Sequence, residues 1–303
     1  MYRHLLLILA VFVISAHAQT AVSSKTIPEL IVDLKSTDRD ASDAAKWELG
    51  KRGKAAAPEL LSVISEPNGQ GRWPAVIALG MTKDPEVVPN LIWLLDDERD
   101  VIRGAAAYGL SQIGGQDAKD ALVVFLQRSF EKDPDTLNRS TEAIKELPDR
   151  RALPILLKIV GQKHDYRNRP QSVLYAAEAL GKIGDPAAAE ALALLLDPSI
   201  TYDNSHDYIF LDALALTKGK DAQPYLIKYL SALSKRVKDQ PWYNGQEQTD
   251  IDPFGPGAGP RQRWYDREVF TKTIHALESI SGTSSKGTTP SQIAEFWLTH
   301  SAP

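Results

Sequence analysis

The residues richest in potential chemistry are two identical tripeptides, His164-Asp165-Tyr166 and His206-Asp207-Tyr208, and an aromatic-rich stretch between Asp239 and Glu268. A histidine beside a carboxylate can hold a metal ion or an anionic ligand, because the carboxylate fixes the tautomer and basicity of the ring. The simpler alternative is that Asp207 caps a helix while the tyrosines lie over helix ends. The longer stretch reads DQPWYNGQEQTDIDPFGPGAGPRQRWYDRE and carries Trp242, Tyr243, Phe254, Trp264 and Tyr265 together with Arg261 and Arg263. Aromatic faces and guanidinium forks suit recognition of a protein partner or stacking on sugar rings. The same aromatics could instead fold back and pack their loop against neighbouring helices.

Other chemistry finds little support. The chain has no cysteine, so thiolate catalysis, disulfides and thiol ligands for zinc are all excluded. Neither a zinc-protease helix, a nucleophile elbow, a phosphate loop nor a dinucleotide fingerprint occurs. Asp250 and Asp252 have the spacing of a calcium loop, but its remaining ligands and trailing glutamate are missing. His275 falls in an Ala-Leu segment, where a packing role is expected. No catalytic residue, metal or cofactor is therefore expected, and the chain reads as a non-enzyme.

Periodicity dictates the elements that carry these residues. The segments IPELIVDL (27–34), APELLSVI (57–64), VPNLIWLL (88–95), KDALVVFL (119–126), LPILLKIV (153–160), AEALALLL (189–196) and QPYLIKYL (223–230) share one pattern. Each is followed by a segment rich in Ala and Leu, anchored at Leu49, Leu79, Leu110, Ile144, Leu180, Leu214 and Leu277. The anchors are spaced by 30, 31, 34, 36, 34 and 63 residues, so the last unit carries an excess of about 28. Each unit predicts two helices. Proline suits the first turn of helix A, and Leu/Ile at three- and four-residue spacing gives one apolar stripe. Gly50, Gly80, Gly114 and Gly184 are expected to end the B helices. No helix can bury its stripe alone, so the pairs must stack.

The stretches DERDVIRGAAAYGLSQIG (97–114) and AAEALGKIGDPAAAEALALLLDP (176–198) resemble the short HEAT-like repeats named after the phycobilisome lyases. The resemblance spans about residues 26–282 and implies an all-α fold: an α-solenoid, a right-handed superhelix of about seven two-helix repeats. It also implies that Asp100, Arg103 and Arg72 stitch successive repeats together. TTPSQIAEFWLTHSAP predicts a capping helix at about 289–300, with Trp297 covering the end of the array. Because bilin lyases and isomerases share this repeat, the resemblance also leaves a lyase- or isomerase-like enzyme as the least favoured alternative, against which stands the cytoplasmic site of bilin attachment in that family.

The first residues argue for another compartment. MYRHLLLILAVFVISAHA has one arginine, an apolar run and a small-x-small end, which predicts a signal peptide over 1–18 cleaved after Ala18. The mature chain, 19–303, is expected in the periplasm or outside the cell, without an integral membrane segment. A formal net charge of −4 with no basic stripe argues against nucleic acid. The expected function is a non-catalytic scaffold binding a protein or peptide by its B-helix face or its elaborated loop edge. A glycan held by aromatic loop residues is the alternative. That edge carries the lengthened A–B turns, the largest being an irregular insertion at 236–263.

Overall fold

A computed structural model describes residues 22–66, 69–162, 170–197, 206–245 and 259–300. The predicted leader, His164, Asp165, Tyr166, Asp250, Asp252 and Phe254 lie outside them. Among the described residues there is no strand, and seven helix pairs follow one another. The chain divides into two compact units, one ending at Leu147 and the other beginning at Pro148.

The first unit holds four pairs: α1 (Ile27–Leu34) with α2 (Arg39–Lys51), α3 (Ala57–Ile64) with α4 (Arg72–Met81), α5 (Val88–Leu94) with α6 (Asp100–Ile113), and α7 (Gln116–Lys132) with α8 (Pro134–Glu146). The even-numbered B helices pack on one another in chain order, and each A helix packs on its own B helix. Local chemistry fixes the ends. Thr26 and Glu29 form a reciprocal capping box at the start of α1. The Asp38 carboxylate accepts from the amides of Asp40 and Ala41 at the start of α2. The anchors Leu49, Leu79, Leu110 and Ile144 are fully buried, each contributing roughly 1.5–3 kcal/mol by burial.

Glycine does two different jobs here. Gly114 ends α6 with φ +77°, as its position after the Ala-Leu segment predicts. Gly50 and Gly80, however, do not end their helices, since α2 runs to Lys51 and α4 to Met81. Gly80 is needed for proximity. A Cβ built there would lie 2.3 Å from Gly109 Cα, so the backbones of α4 and α6 touch.

Two arginines, Arg72 buried and Arg103 half-buried, stitch these pairs. Arg72 donates from Nε to the Ile64 carbonyl at 2.9 Å and pairs through Nη1 with Asp97 at 2.5 Å. One repeat on, Arg103 donates to the Asp97 and Glu98 carbonyls at 3.0 Å, to Thr136 Oγ1 at 2.7 Å and to the Asp133 carboxylate. The carboxylates of the ladder are thus Asp97 and Asp133, whereas Asp100 is exposed at the start of α6. Burial pushes the Asp133 carboxyl up, but hydrogen bonds from Thr136 and Arg103 outweigh it and hold the group below its ordinary value.

The second unit comprises α9 (Leu153–Gly161) with α10 (Gln171–Ile183), α11 (Ala189–Ala193) with α12 (Asp207–Thr217), α13 (Gln223–Val237) with α14 (Gly259–Ser281), and a closing helix α15 (Pro290–His300). Helix α10 stops at Gly184, φ +68°. Helix α15 packs on α13, and Trp297, 2 % exposed, donates its indole N–H to Ser285 Oγ at 2.8 Å. The stretch expected to be irregular over 236–263 is partly ordered into helix. Helix α13 continues to Val237, a 3-10 turn spans Pro241–Asn244, and α14 begins at Gly259.

Candidate interaction surfaces

The second unit contains a buried polar cluster. Tyr229 donates its hydroxyl proton to Asp207 at 2.6 Å, with both side chains buried. Burial first, and then the Asp207 charge, push the Tyr229 phenol far above its ordinary value, so it remains a donor. Arg236 pairs with the buried Asp266 at 2.8 Å, and Gln240 donates to the other carboxylate oxygen at 3.0 Å. Gln240 in turn accepts from the Trp242 indole N–H.

Above this network, Trp242, Tyr243 and Phe270 form an edge-to-face trio with ring centres 5.6–5.8 Å apart. The predicted residues therefore separate by role. Asp207, Trp242, Tyr243 and Tyr265 converge on packing inside this unit, because large aromatics bury readily wherever helices are near. Trp264 and Tyr208 face solvent, 56 % and 40 % exposed. His206 precedes the first residue of α12, while Arg261 and Arg263 lie in the first turns of α14. His275, expected to pack, is exposed on α14.

On the B-helix face of the first unit lie exposed residues that the sequence did not single out. Two residues before a buried anchor is about 200° around a helix, the opposite side. On α2, α4 and α6 that position holds Trp47, Ile77 and Tyr108. Trp47 is 54 % and Tyr108 37 % exposed, while Ile77 is half-buried between them in register. Trp73, one turn earlier on α4, adds a second indole, 44 % exposed. The Lys46 ammonium sits 5.8 Å from the Trp47 ring centre and 5.3 Å from that of Trp73, and 2.6 Å from Asp43 Oδ1. Both indoles are thus held near one cation whose charge is already matched. In the second unit the same register positions carry Glu178, Asp212 and His275 instead. Among the described residues, no group of three or more His, Asp or Glu side chains is arranged to hold a metal ion.

Comparison with known proteins decides the family. Residues 57–131 match the model for HEAT repeats, and residues 174–198 match the PBS lyase HEAT-like repeat. This is a HEAT-like repeat protein. Among curated relatives, the epoxyqueuosine reductase of Bacillus anthracis is 35 % identical over 78 residues, 25 % of this chain and 20 % of that protein. That of Listeria monocytogenes is 44 % identical over 68 residues, 22 % of this chain and 17 % of that protein. The HEAT-like repeat chain thus spans about a fifth of the length of the curated relatives it matches. Among solved structures, the complex of CpcE and CpcF of phycocyanin lyase from Nostoc is similar at 21 % identity and a TM-score of 0.37, covering 70 % of this chain and 95 % of that one. An engineered protein is similar at 15 % identity and a TM-score of 0.48, covering 93 % of this chain and 83 % of that one. No helix among the described residues is long and apolar enough to cross a membrane.

Proposed function

We propose that this repeat protein is a non-catalytic scaffold outside the cytoplasm, holding a protein partner on the solvent face of the B helices in its first unit. The observation that carries this reading is the row Trp47–Ile77–Tyr108 flanked by Trp73, an apolar strip set on rigid, mutually packed helices. Exposed aromatics grouped on one face, rather than scattered, mark interaction surfaces. The leader-like first 18 residues support work in the envelope or exterior.

Affinity capture from envelope and secreted fractions tests it, using wild type, a Trp47→Ala/Tyr108→Ala variant and a deletion of 246–258. A specific partner retained by the deletion and lost by the double variant is expected. Loss with the deletion alone would move the binding site to the loop edge.

A second reading, glycan binding, rests on Trp264, whose exposed indole on α14 suits stacking on a sugar ring. Retention on peptidoglycan that Trp264→Ala abolishes would establish it, and no retention by the wild type would end it.

A further inference from the structure

We infer that the groove between α5 and α7, on the A-helix side of the first unit, takes a short basic segment of a partner protein. Apolar side chains of that segment fill the floor, and a Lys or Arg fills the acidic end. This surface is separate from the Trp47–Ile77–Tyr108 row and goes beyond the scaffold reading. The two A helices pack against each other and leave a depression of about 500 Å³ whose apolar floor is Ile92, Leu95, Ala121 and Val124. Val124 is 54 % exposed, so the floor is open to a ligand.

Charge identifies the occupant. Three residues before an A segment, the chain carries Lys54 ahead of α3 and Arg150 ahead of α9. Each pairs forward with a carboxylate that precedes the next A helix, Lys54 with Glu86 and Arg150 with Asp185 at 2.8 Å. Ahead of α5 the same position holds Pro85. The carboxylate in register with Glu86 is then Asp117, which forms no ion pair among the described residues. This rung keeps its anion and lacks its cation.

The remaining charges do not supply one. At the far end of the groove Arg128 reaches across to Asp96 at 2.5 Å, so its guanidinium is already matched. Lys119 lies about 200° round α7 from Asp117, on the other side of the helix. Asp120, one turn on from Asp117 and also lining the groove, adds a further carboxylate at that end. An acidic segment would set its charge against Asp117. An uncharged one would cover that carboxylate without pairing it, which is costly. A basic segment completes the rung. Arg128 is eleven residues beyond Asp117, about 16 Å along the helix, a length that roughly five residues of extended chain cover.

The test is fluorescence anisotropy with the labelled hexapeptide Lys-Leu-Ala-Lys-Leu-Ala against the full chain. The comparison probes replace its lysines by glutamate or its leucines by serine. Saturable binding of the first peptide alone is expected, weakened roughly tenfold by Asp117→Asn combined with Asp120→Asn and weakened by added salt. Asp117→Lys combined with Asp120→Lys should abolish it and bring in the glutamate peptide instead. Both carboxylates are exposed, so these variants should keep wild-type circular dichroism. Equal binding of either comparison peptide to the wild type, binding unchanged by the Asn variants, or no binding at about 1 mM would overturn the inference. So would concentration-dependent self-association lost in the Asn variants, which would give the groove to a second copy of this chain. The Trp47→Ala/Tyr108→Ala variant should bind the basic peptide as wild type does. Loss of partner capture in that variant thus tests the scaffold reading, and loss of peptide binding in the Asn variants tests the groove.

Discussion

Replacing Gly80 by alanine sets two effects of opposite sign against each other. Gly80 lies inside α4, where helix propensity alone favours alanine by about 1 kcal/mol. The added Cβ would stand 2.3 Å from Gly109 Cα and 3.3 Å from its carbonyl carbon. Carbon atoms prefer roughly 3.5–4 Å, and both obstacles are backbone atoms, so no rotamer change relieves them. Overpacking a tight core costs about 1–3 kcal/mol, and this approach belongs at or above the top of that range. Net destabilisation of about 2 kcal/mol is expected. With a urea slope of about 2 kcal/mol per molar, the midpoint falls by about 1 M. Gly161→Ala is the control, since nothing lies within 4 Å of its Cβ position at the end of α9. That variant should be unchanged or slightly more stable. Urea unfolding followed by far-ultraviolet circular dichroism reads both. A Gly80→Ala midpoint equal to or above wild type would refute the inference that backbone contact sets the α4–α6 spacing.

Three further outcomes can be checked in the same way. Arg72→Ala removes the buried partner of Asp97, leaving it the Arg99 amide at 3.1 Å and the Arg99 guanidinium at 3.7 Å, and should cost about 3 kcal/mol in urea unfolding. Combining Arg72→Met with Asp97→Leu should recover part of that loss, because neither charge then remains buried. Trp297→Ala opens a cavity beneath the closing helix and deletes its bond to Ser285, so about 3–5 kcal/mol of the second unit's stability should be lost in thermal or urea unfolding. Asp133 has a folded-state pKa below its ordinary 3.8. Its contribution is therefore present above that value and lost as pH falls through the lower folded one. Asp133→Asn should flatten the stability loss measured from about pH 5 downward.

The repeat architecture was legible because each two-helix unit must renew its apolar stripe, and that demand writes a period into the chain. Turn chemistry was legible where a backbone conformation required it, as at Gly114 and Gly184. Gly50 and Gly80 misled because glycine serves both left-handed ends and close approach, and the letter does not say which. The aromatics near residue 240 stood out because they break the period, yet Tyr243 and Tyr265 are buried. Trp47 and Tyr108 were hidden for the opposite reason, sitting inside regular Ala-Leu segments. Their common offset of two from Leu49 and Leu110 was the signal. It becomes meaningful only once the anchors are known to be buried.

The arginine rungs carry a consequence for descent. Arg72 and Arg103 stand one period apart and each reaches forward to a carboxylate, Asp97 or Asp133. Because the rungs are interchangeable, a recombination that removes residues 73–103 joins Arg72 to Gly104 and offers it Asp133 in place of Asp97. A loss that cuts within a repeat parts a guanidinium from the carboxylate of its rung. The ladder thus acts as a reading frame for gene rearrangement, letting the array shorten or grow by whole repeats while penalising every fraction of one.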